Sequence, residues 1–337
     1  MRTAIRCGLA AASVASLCAS LHAAAAPTVA EFAADTDFSF PTLSPDGDKV
    51  AYVTRVQDSR VLMVLDLAKR ERTALMQATV DSFELNWCGF KTNDRLLCGF
   101  HGTEFERGQP YPVSRLIAID VAGKTKAKVL IQNGSRGASQ FQDRIMDWQI
   151  DDPKRVLIQL TDENGPFPNV YSLDVYSGLM RVIQRNRSPI LRWSTDRAGV
   201  VRFGSGYDER KSTYITRDSA DAPWRTLAKW ELGKDDFDVI GFGPAPGTLL
   251  VTAEHNGRSA VYEMDLTEKS DRQLLFANPD VDVGGPIYWP TDRRIIGFGY
   301  ETDRNKRTFA DRASSAEARD CDHIGGGSSA RAYRRRA

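Results

Sequence analysis

Residues 44–67 read SPDGDKVAYVTRVQDSRVLMVLDL and contain the pattern that decides the fold. A turn sequence, Ser44-Pro45-Asp46-Gly47, is followed by an alternating apolar strand at 50–53 and by a second strand that ends at Asp66. Glycine and proline in the turn, with β-branched residues in the flanking segments, are typical of antiparallel sheet. A charged turn and a third strand at 72–76 complete the repeating unit.

The same order of turn and strands returns along the chain. Strands that match the second one end at Asp66, Asp120, Asp174, Asp218 and Asp265. The steps between these aspartates suit blades of four short strands, for which about 40–50 residues per repeat is expected. Each such sheet has two apolar faces, which become buried when blades stack around an axis. The sequence therefore predicts an all-β β-propeller with about five complete four-stranded blades; a β-sandwich is the alternative.

The end of the repeat is predicted to be incomplete. Residues 287–300 resemble the opening turn and strand of a further, partial blade, and from 305 onward β-branched residues almost disappear. A segment rich in Arg, Ala, Ser and Gly cannot bury enough apolar surface to offset its ordering entropy. We therefore predict a propeller domain at 27–304 and a disordered basic tail at 305–337. The tail is interpreted as a frameshifted ending, or alternatively as a docking segment for an anionic surface.

The N-terminus has the pattern of a signal peptide. Arg2 and Arg6 supply positive charge, residues 7–21 are small and apolar, and Ala23-Ala24-Ala25 offers a cleavage site. We predict a signal peptide at 1–25, cut after Ala24 or Ala25, and a periplasmic or secreted mature protein. A buried alanine-rich helix is the alternative.

Charge and hydropathy argue against two classes of partner. The chain has 45 basic and 44 acidic side chains among 337 residues, whereas binding to nucleic acid needs a basic surplus. After the N-terminal segment no apolar run reaches the ~18 residues of a membrane span. We therefore predict no nucleic-acid partner and no membrane span after signal removal.

Two cysteines form the one candidate cross-link. Cys88 and Cys98 lie in apolar strands on either side of the polar turn 91–94, so strand pairing brings them near each other. Export would allow a disulfide between them. Two buried free thiols are the alternative, and two cysteines alone make a poor metal site.

The sequence offers no convincing catalytic, cofactor-binding or metal-binding residues. It contains no G-x-S-x-G motif, and His101, His255 and His323 lack metal-ligand spacing. His101 and His255 are interpreted as loop residues; a Ser-His-Asp arrangement assembled in space is the alternative. The close carboxylates (Asp151-Asp152, Asp235-Asp236 and Asp280/Asp282) and the strand-ending aspartates are interpreted as turn formers.

Several stretches resemble one peptidase family. Residues 28–32 (TVAEF) and 40–52 (FPTLSPDGDKVAY) resemble the entry into the propeller of prolyl-oligopeptidase-family (S9) serine peptidases. The nearest branch is that of the acylaminoacyl-peptidases and dipeptidyl-aminopeptidases. Residues 87–90 (WCGF) and 299–304 (GYETDR) resemble bacterial members, and the similarity spans the region 27–304.

The resemblance implies a non-catalytic role. In that family the propeller gates access of oligopeptides to an α/β-hydrolase domain, which follows it and carries a Ser-Asp-His triad. No position of this sequence matches the triad, so the chain is predicted to be inactive alone. Peptides and a separately encoded α/β-hydrolase domain are the implied partners. The alternative is a free-standing TolB-like periplasmic propeller that acts as a protein-binding scaffold.

Overall fold

The strands in the described part of the chain form antiparallel β-sheets. The computed structural model describes residues 28–29, 38–57, 59–80, 82–131, 139–162, 165–267, 272–289 and 293–309. Within these ranges, 24 strands form six sheets, each built from strands that are consecutive in the chain. We number the sheets 1 to 6 in chain order. Most of the predicted signal peptide and tail lies outside the described residues.

The first three sheets contain strands β1 to β13. Sheet 1 contains β1 (Phe38–Leu43), β2 (Lys49–Val56), β3 (Ser59–Asp66) and β4 (Glu71–Gln77). Sheet 2 contains β5 (Thr79–Val80), β6 (Phe83–Thr92), β7 (Arg95–Glu106), β8 (Gln109–Asp120) and β9 (Lys128–Val129). Sheet 3 contains β10 (Ile145–Asp147), β11 (Arg155–Asp162), β12 (Gly165–Asp174) and β13 (Met180–Gln184).

The last three sheets contain strands β14 to β24. Sheet 4 contains β14 (Ile190–Thr195), β15 (Val201–Tyr207), β16 (Lys211–Thr216) and β17 (Arg225–Glu231). Sheet 5 contains β18 (Asp238–Phe242), β19 (Thr248–His255), β20 (Arg258–Asp265) and β21 (Arg272–Phe276). Sheet 6 contains β22 (Val283–Tyr288), β23 (Ile295–Glu301) and β24 (Asn305–Phe309).

Tight turns join the strands where the sequence predicts them. The β19–β20 hairpin turns at Asn256 and Gly257, whose φ angles are 53° and 80°. Both angles lie in the left-handed region, which asparagine and glycine tolerate best, and such turns match the twist of the flanking strands. In sheet 1 the turn after β1 uses Gly47, with φ 82°. These local signals explain why the strand order could be predicted.

Buried apolar side chains lie between successive sheets. Five clusters join sheets 1 and 2, 2 and 3, 3 and 4, 4 and 5, and 5 and 6. Adjacent residues on β11 show how this works: Leu157 packs toward sheet 4, whereas Ile158 packs toward sheet 2. Leu249 and Leu250 on β19 divide in the same way between sheets 4 and 6. Alternation along a strand thus covers both faces of sheets 2 to 5, and the predicted all-β propeller arrangement is confirmed.

The predicted domain boundary at 304 needs correction. Residues 305–309 form β24 instead of the start of a disordered tail, and they pair with β23 from Glu301↔Asn305 to Gly297↔Phe309. The segment NKRTF has little apolar character, but main-chain hydrogen bonds to a neighbouring strand do not require it. Most of its side chains are exposed, as befits an edge strand. Residues 310–337 lie outside the described part of the chain.

Sheet 6 has fewer described strands than the other sheets. Three strands are seen there, against four in sheets 1, 3, 4 and 5 and five in sheet 2.

Within the described ranges, no helix is both long and apolar enough to cross a membrane.

Candidate functional site

A buried carboxylate, Asp143, gathers three polar side chains where sheets 2 and 3 meet. The indole Nε1 of Trp87 donates a hydrogen bond to its Oδ2 at 3.0 Å. His101 Nε2 lies 2.9 Å from the same oxygen, and the Ser114 hydroxyl donates to Oδ1. Asp143 and Ser114 are buried, whereas the His101 side chain is 49% exposed.

Strand register places these groups side by side. His101 on β7 lies opposite Ser114 on β8, and a bridge from Ser114 to Phe141 brings the chain that carries Asp143 alongside. Gly99 makes the close approach possible. A Cβ atom at this glycine would lie 2.2 Å from Trp87 Nε1 and 2.6 Å from Asp143 Oδ2.

Ser, His and Asp therefore do meet in space, but their order does not suit nucleophilic catalysis. In a catalytic triad the histidine lies between the serine, whose proton it accepts, and the aspartate. Here Asp143 lies in the middle and binds both Ser114 and His101. Ser114 is 0% exposed, so a substrate cannot reach its hydroxyl. The cluster joins sheet 2 to the segment before β10 and offers no accessible serine nucleophile.

The interpretation of two histidines as loop residues is wrong. His101 lies within β7, and His255 is the last residue of β19, where its Nδ1 lies 2.9 Å from the Tyr262 hydroxyl. Neither was recognisable as a strand residue, because glycine or polar residues follow each of them in the sequence. His323 lies outside the described residues.

Four of the five strand-ending aspartates form turns, as predicted. Each carboxylate accepts a hydrogen bond from a main-chain N–H two or three residues later. Asp66 accepts from Lys69, and Asp120 accepts from Ala122. Asp174 accepts from Tyr176 and Ser177, and Asp265 accepts from Thr267. Burial opposes ionisation of Asp174, but these N–H donors outweigh it and keep its pKa below the usual value. Asp218 differs, since it lies beyond β16 and pairs with Arg225 at 3.3 Å.

The close carboxylate pairs do not act together. Asp152 accepts a hydrogen bond from Lys154 N and pairs with Arg155. Asp235 accepts from the Ser212 hydroxyl, whereas Asp236 pairs with Arg272. Asp282 accepts Ser259 N. In the described part of the chain, no group of three His, Cys, Asp or Glu side chains could hold a metal ion.

A second polar cluster, absent from the sequence predictions, centres on an ion pair. The Arg293 guanidinium binds Asp147 with both of its terminal nitrogens, Nη1 to Oδ2 at 2.7 Å and Nη2 to Oδ1 at 2.6 Å. Thr195 Oγ1 also donates to Oδ2, and Gln149 N donates to Oδ1, each at 2.6 Å. The Asp147 side chain is 1% exposed, so every carboxylate contact is made inside the protein.

The surroundings of this pair set its electrostatics. Burial opposes ionisation of Asp147, but the hydrogen bonds from Arg293, Thr195 and Gln149 N hold its pKa below the usual value. The hydrogen bond to Asp147 in turn raises the pKa of Arg293. Nearby, Lys91 Nζ donates to the carbonyl oxygens of Trp148 and Gln149. Burial lowers the pKa of Lys91 to about 8, although the negative charges of Asp152 and Asp147 act to raise it.

The sequence does not predict the ion pair between Arg293 and Asp147. Arg293 lies between β22 and β23 and has a left-handed φ of 55°. Nothing local in the sequence indicates Asp147 as its partner.

The cysteine pair is joined in the structure. Cys88 and Cys98 lie opposite each other on β6 and β7, with Cα atoms 4.1 Å apart and a disulfide between the sulfurs. Cys98 is fully buried within the apolar cluster between sheets 1 and 2, and Cys88 packs against that cluster.

Comparison with known proteins gives a limited set of similarities. No family model matches the chain. A curated relative, dipeptidyl aminopeptidase BIII of Pseudoxanthomonas mexicana, is 21% identical over 184 residues. The match covers 52% of this chain but only 26% of that protein.

Two solved structures have a similar arrangement of strands. An oligogalacturonate lyase in complex with manganese has a TM-score of 0.49 and 13% identity, over 84% of this chain and 80% of that one. An acylaminoacyl peptidase in complex with a chloromethyl ketone has a TM-score of 0.47 and 13% identity, over 82% of this chain and 44% of that one. At such scores neither structure identifies a function for this chain.

The curated relative belongs to the dipeptidyl-aminopeptidase branch that the sequence motifs indicate, and the described sheets form a propeller arrangement. This chain is therefore similar to the propeller part of a prolyl-oligopeptidase-family (S9) peptidase, as its sequence predicts.

Proposed function

We propose that this chain is the non-catalytic propeller part of an S9-type serine peptidase and controls the access of oligopeptides to a hydrolase domain. One observation carries the proposal. Ser114, His101 and Asp143 meet, yet Asp143 binds the other two and the serine hydroxyl is buried. The nucleophile for peptide hydrolysis would then come from an α/β-hydrolase domain, and the similarity to a dipeptidyl aminopeptidase supports that assignment.

The ion pair between Arg293 and Asp147 is consistent with a gate. Asp147 ends the first strand of sheet 3, and Arg293 follows the first strand of sheet 6. The blades of a propeller surround a central channel. A contact between these two sheets would restrict such a channel, which suits an element that admits small peptides and excludes folded proteins.

We also propose that the protein is exported. The charged, apolar and small-residue segments of 1–25 support this, and so does the disulfide between Cys88 and Cys98, because such bonds persist in oxidising compartments. N-terminal sequencing of the periplasmic fraction should give Ala25 or Ala26 as the first residue. An intact Met1 on protein from that fraction would contradict the export route.

Reconstitution tests the gating role. The purified chain is mixed with the separately expressed α/β-hydrolase domain of the dipeptidyl aminopeptidase, and binding is measured by sedimentation. Cleavage of a dipeptidyl chromogenic substrate and of a long unfolded protein is then followed. The proposal predicts complex formation, retained cleavage of the small substrate and severalfold slower cleavage of the long one. Heat-denatured chain serves as the control.

Two results would count against the proposal. Failure to bind the hydrolase domain, together with capture of folded proteins, would favour the free-standing scaffold. Equal cleavage of both substrates in a proven complex would contradict gating while leaving the pairing of the two domains intact.

A further inference from the structure

The Arg293–Asp147 ion pair joins two sheets that are not neighbours. Asp147 belongs to sheet 3 and Arg293 to the first turn of sheet 6, with sheets 4 and 5 between them in the chain. The apolar clusters, in contrast, join only successive sheets. Among the described residues, none of these five clusters joins sheet 6 back to sheet 1.

Among the described residues, sheet 6 also takes part in the smallest apolar cluster. Its cluster with sheet 5 contains four buried residues, and sheet 6 contributes two of them, Val283 and Phe298. The cluster between sheets 1 and 2 contains eleven, and that between sheets 4 and 5 contains nine. Because hydrophobic stabilisation grows with the apolar area removed from water, sheet 6 depends more than the others on additional contacts.

The ion pair has the features of a strong contact. Both oxygens of Asp147 are bound by Arg293 in a forked arrangement, and Thr195 and Gln149 N satisfy further acceptor positions. Buried ion pairs stabilise only when the geometry is good and the remaining acceptors are satisfied, and removal of one partner leaves an uncompensated buried charge.

The backbone conformation of Arg293 also indicates that the surrounding contacts hold this residue in place. Its φ of 55° is unfavourable for a side chain that is not glycine or asparagine. Such a conformation persists where surrounding contacts determine it. The main-chain N–H of Arg293 also donates to Trp289 O at 3.0 Å.

We propose that the Arg293–Asp147 ion pair is a brace across the propeller axis, which holds sheet 6 against sheet 3. In a closed propeller, pairing of the first and last blades protects the sheet edges and fixes the last blade. The brace supplies part of that attachment for sheet 6 through side chains. The brace concerns the attachment of sheet 6, whereas the gating proposal, which uses the same ion pair, concerns the passage of peptides.

Hydrogen exchange measured by mass spectrometry on the full mature chain tests the brace. The variants are Arg293→Gln, which removes the pair, and Arg294→Gln as the matched control. Arg294 lies in the same turn, but its guanidinium lies over the Trp289 ring, 5.0 Å from the centroid. We expect peptides from 283–309 to exchange at least tenfold faster in Arg293→Gln than in Arg294→Gln, with peptides from 201–231 of sheet 4 unchanged.

Two outcomes would overturn the proposal. One is equal exchange of 283–309 in the two variants; the other is a uniform acceleration across all six sheets, which would indicate a general loss of stability. If Arg293→Gln does not fold, Arg293→Lys decides the matter, because lysine keeps the charge but loses the fork. The same sheet-selective pattern is then expected with smaller amplitude, and its absence would equally overturn the brace.

Discussion

His101 and Ser114 lie opposite each other on β7 and β8, and both bind the carboxylate of Asp143. The three residue types of a hydrolytic triad are thus in contact, but the aspartate lies in the middle, where a triad has the histidine. Asp143 links sheet 2 to the segment that leads into sheet 3, together with Trp87. The arrangement holds the segment that carries Asp143 against sheet 2.

Substitution of Gly99 tests the packing of this cluster. In Gly99→Ala the new methyl group would overlap Trp87 Nε1 and Asp143 Oδ2, so both must shift. We expect the free energy of unfolding to fall by about 1–3 kcal/mol, as in other overpacked cores. Chemical denaturation measures it. Gly285→Ala is the control, since nothing lies within 4 Å of a Cβ atom there; equal effects of the two substitutions would refute the packing account.

Removal of the Ser114 hydroxyl separates a structural from a catalytic role. Ser114→Ala deprives Asp143 of one donor and Gln142 N of its acceptor. We expect a loss of about 1–3 kcal/mol in stability, typical of buried polar groups left unsatisfied. In the reconstituted mixture with a hydrolase domain, activity per folded molecule should stay at the wild-type value. A loss of activity at unchanged stability would assign Ser114 a chemical role.

Lys91 should make stability depend on pH in the alkaline range. Its folded-state pKa is about 8, against 10.5 when unfolded, so between these values the unfolded chain holds a proton that the folded chain lacks. The free energy of unfolding therefore rises with pH across this window, and the penalty of burying the charge is fully present below pH 8. Allowing for partial exposure, the rise should be on the order of 1–2 kcal/mol.

Denaturation of wild type and Lys91→Met at pH 7.5 to 10.5 measures this rise. The difference in stability between the two proteins should change with pH across this range. A pH-independent difference between wild type and Lys91→Met would contradict the lowered pKa of Lys91.

The cysteine pair gives a chemical prediction. Alkylation of the unreduced, folded protein should leave Cys88 and Cys98 unmodified, and both should react after reduction and unfolding. The double variant Cys88→Ser/Cys98→Ser should lose about 2–3 kcal/mol of stability, the range expected for a short cross-linked loop. Peptide mass mapping provides the readout; alkylation of either cysteine without reductant would exclude the disulfide.

Local patterns explain which parts of the fold could be predicted. Strand alternation and turns such as Asn256-Gly257 are set by neighbouring residues, so the sheet order and the opposition of Cys88 and Cys98 follow from sequence. β24 escaped prediction because its residues, NKRTF, pair through the main chain with little apolar character. Edge strands of this kind lack the pattern that identifies buried ones.

The two polar clusters could not be predicted, because they depend on contacts between distant residues. Arg293 and Asp147 are separated by 146 positions, and Trp87 and Asp143 by 56. Only the stacking of sheets brings them together. Gly99 must be small because Trp87 and Asp143 lie beside it, and both contacts depend on the fold.

Reaction with a serine-directed fluorophosphonate probe tests the central claim, that this chain has no catalytic serine, most directly. The purified mature chain is incubated with the probe and with a dipeptidyl chromogenic substrate, beside the dipeptidyl aminopeptidase as a positive control. The account predicts neither labelling nor turnover for this chain. Stoichiometric labelling that disappears in Ser114→Ala, accompanied by turnover that the probe blocks, would contradict it.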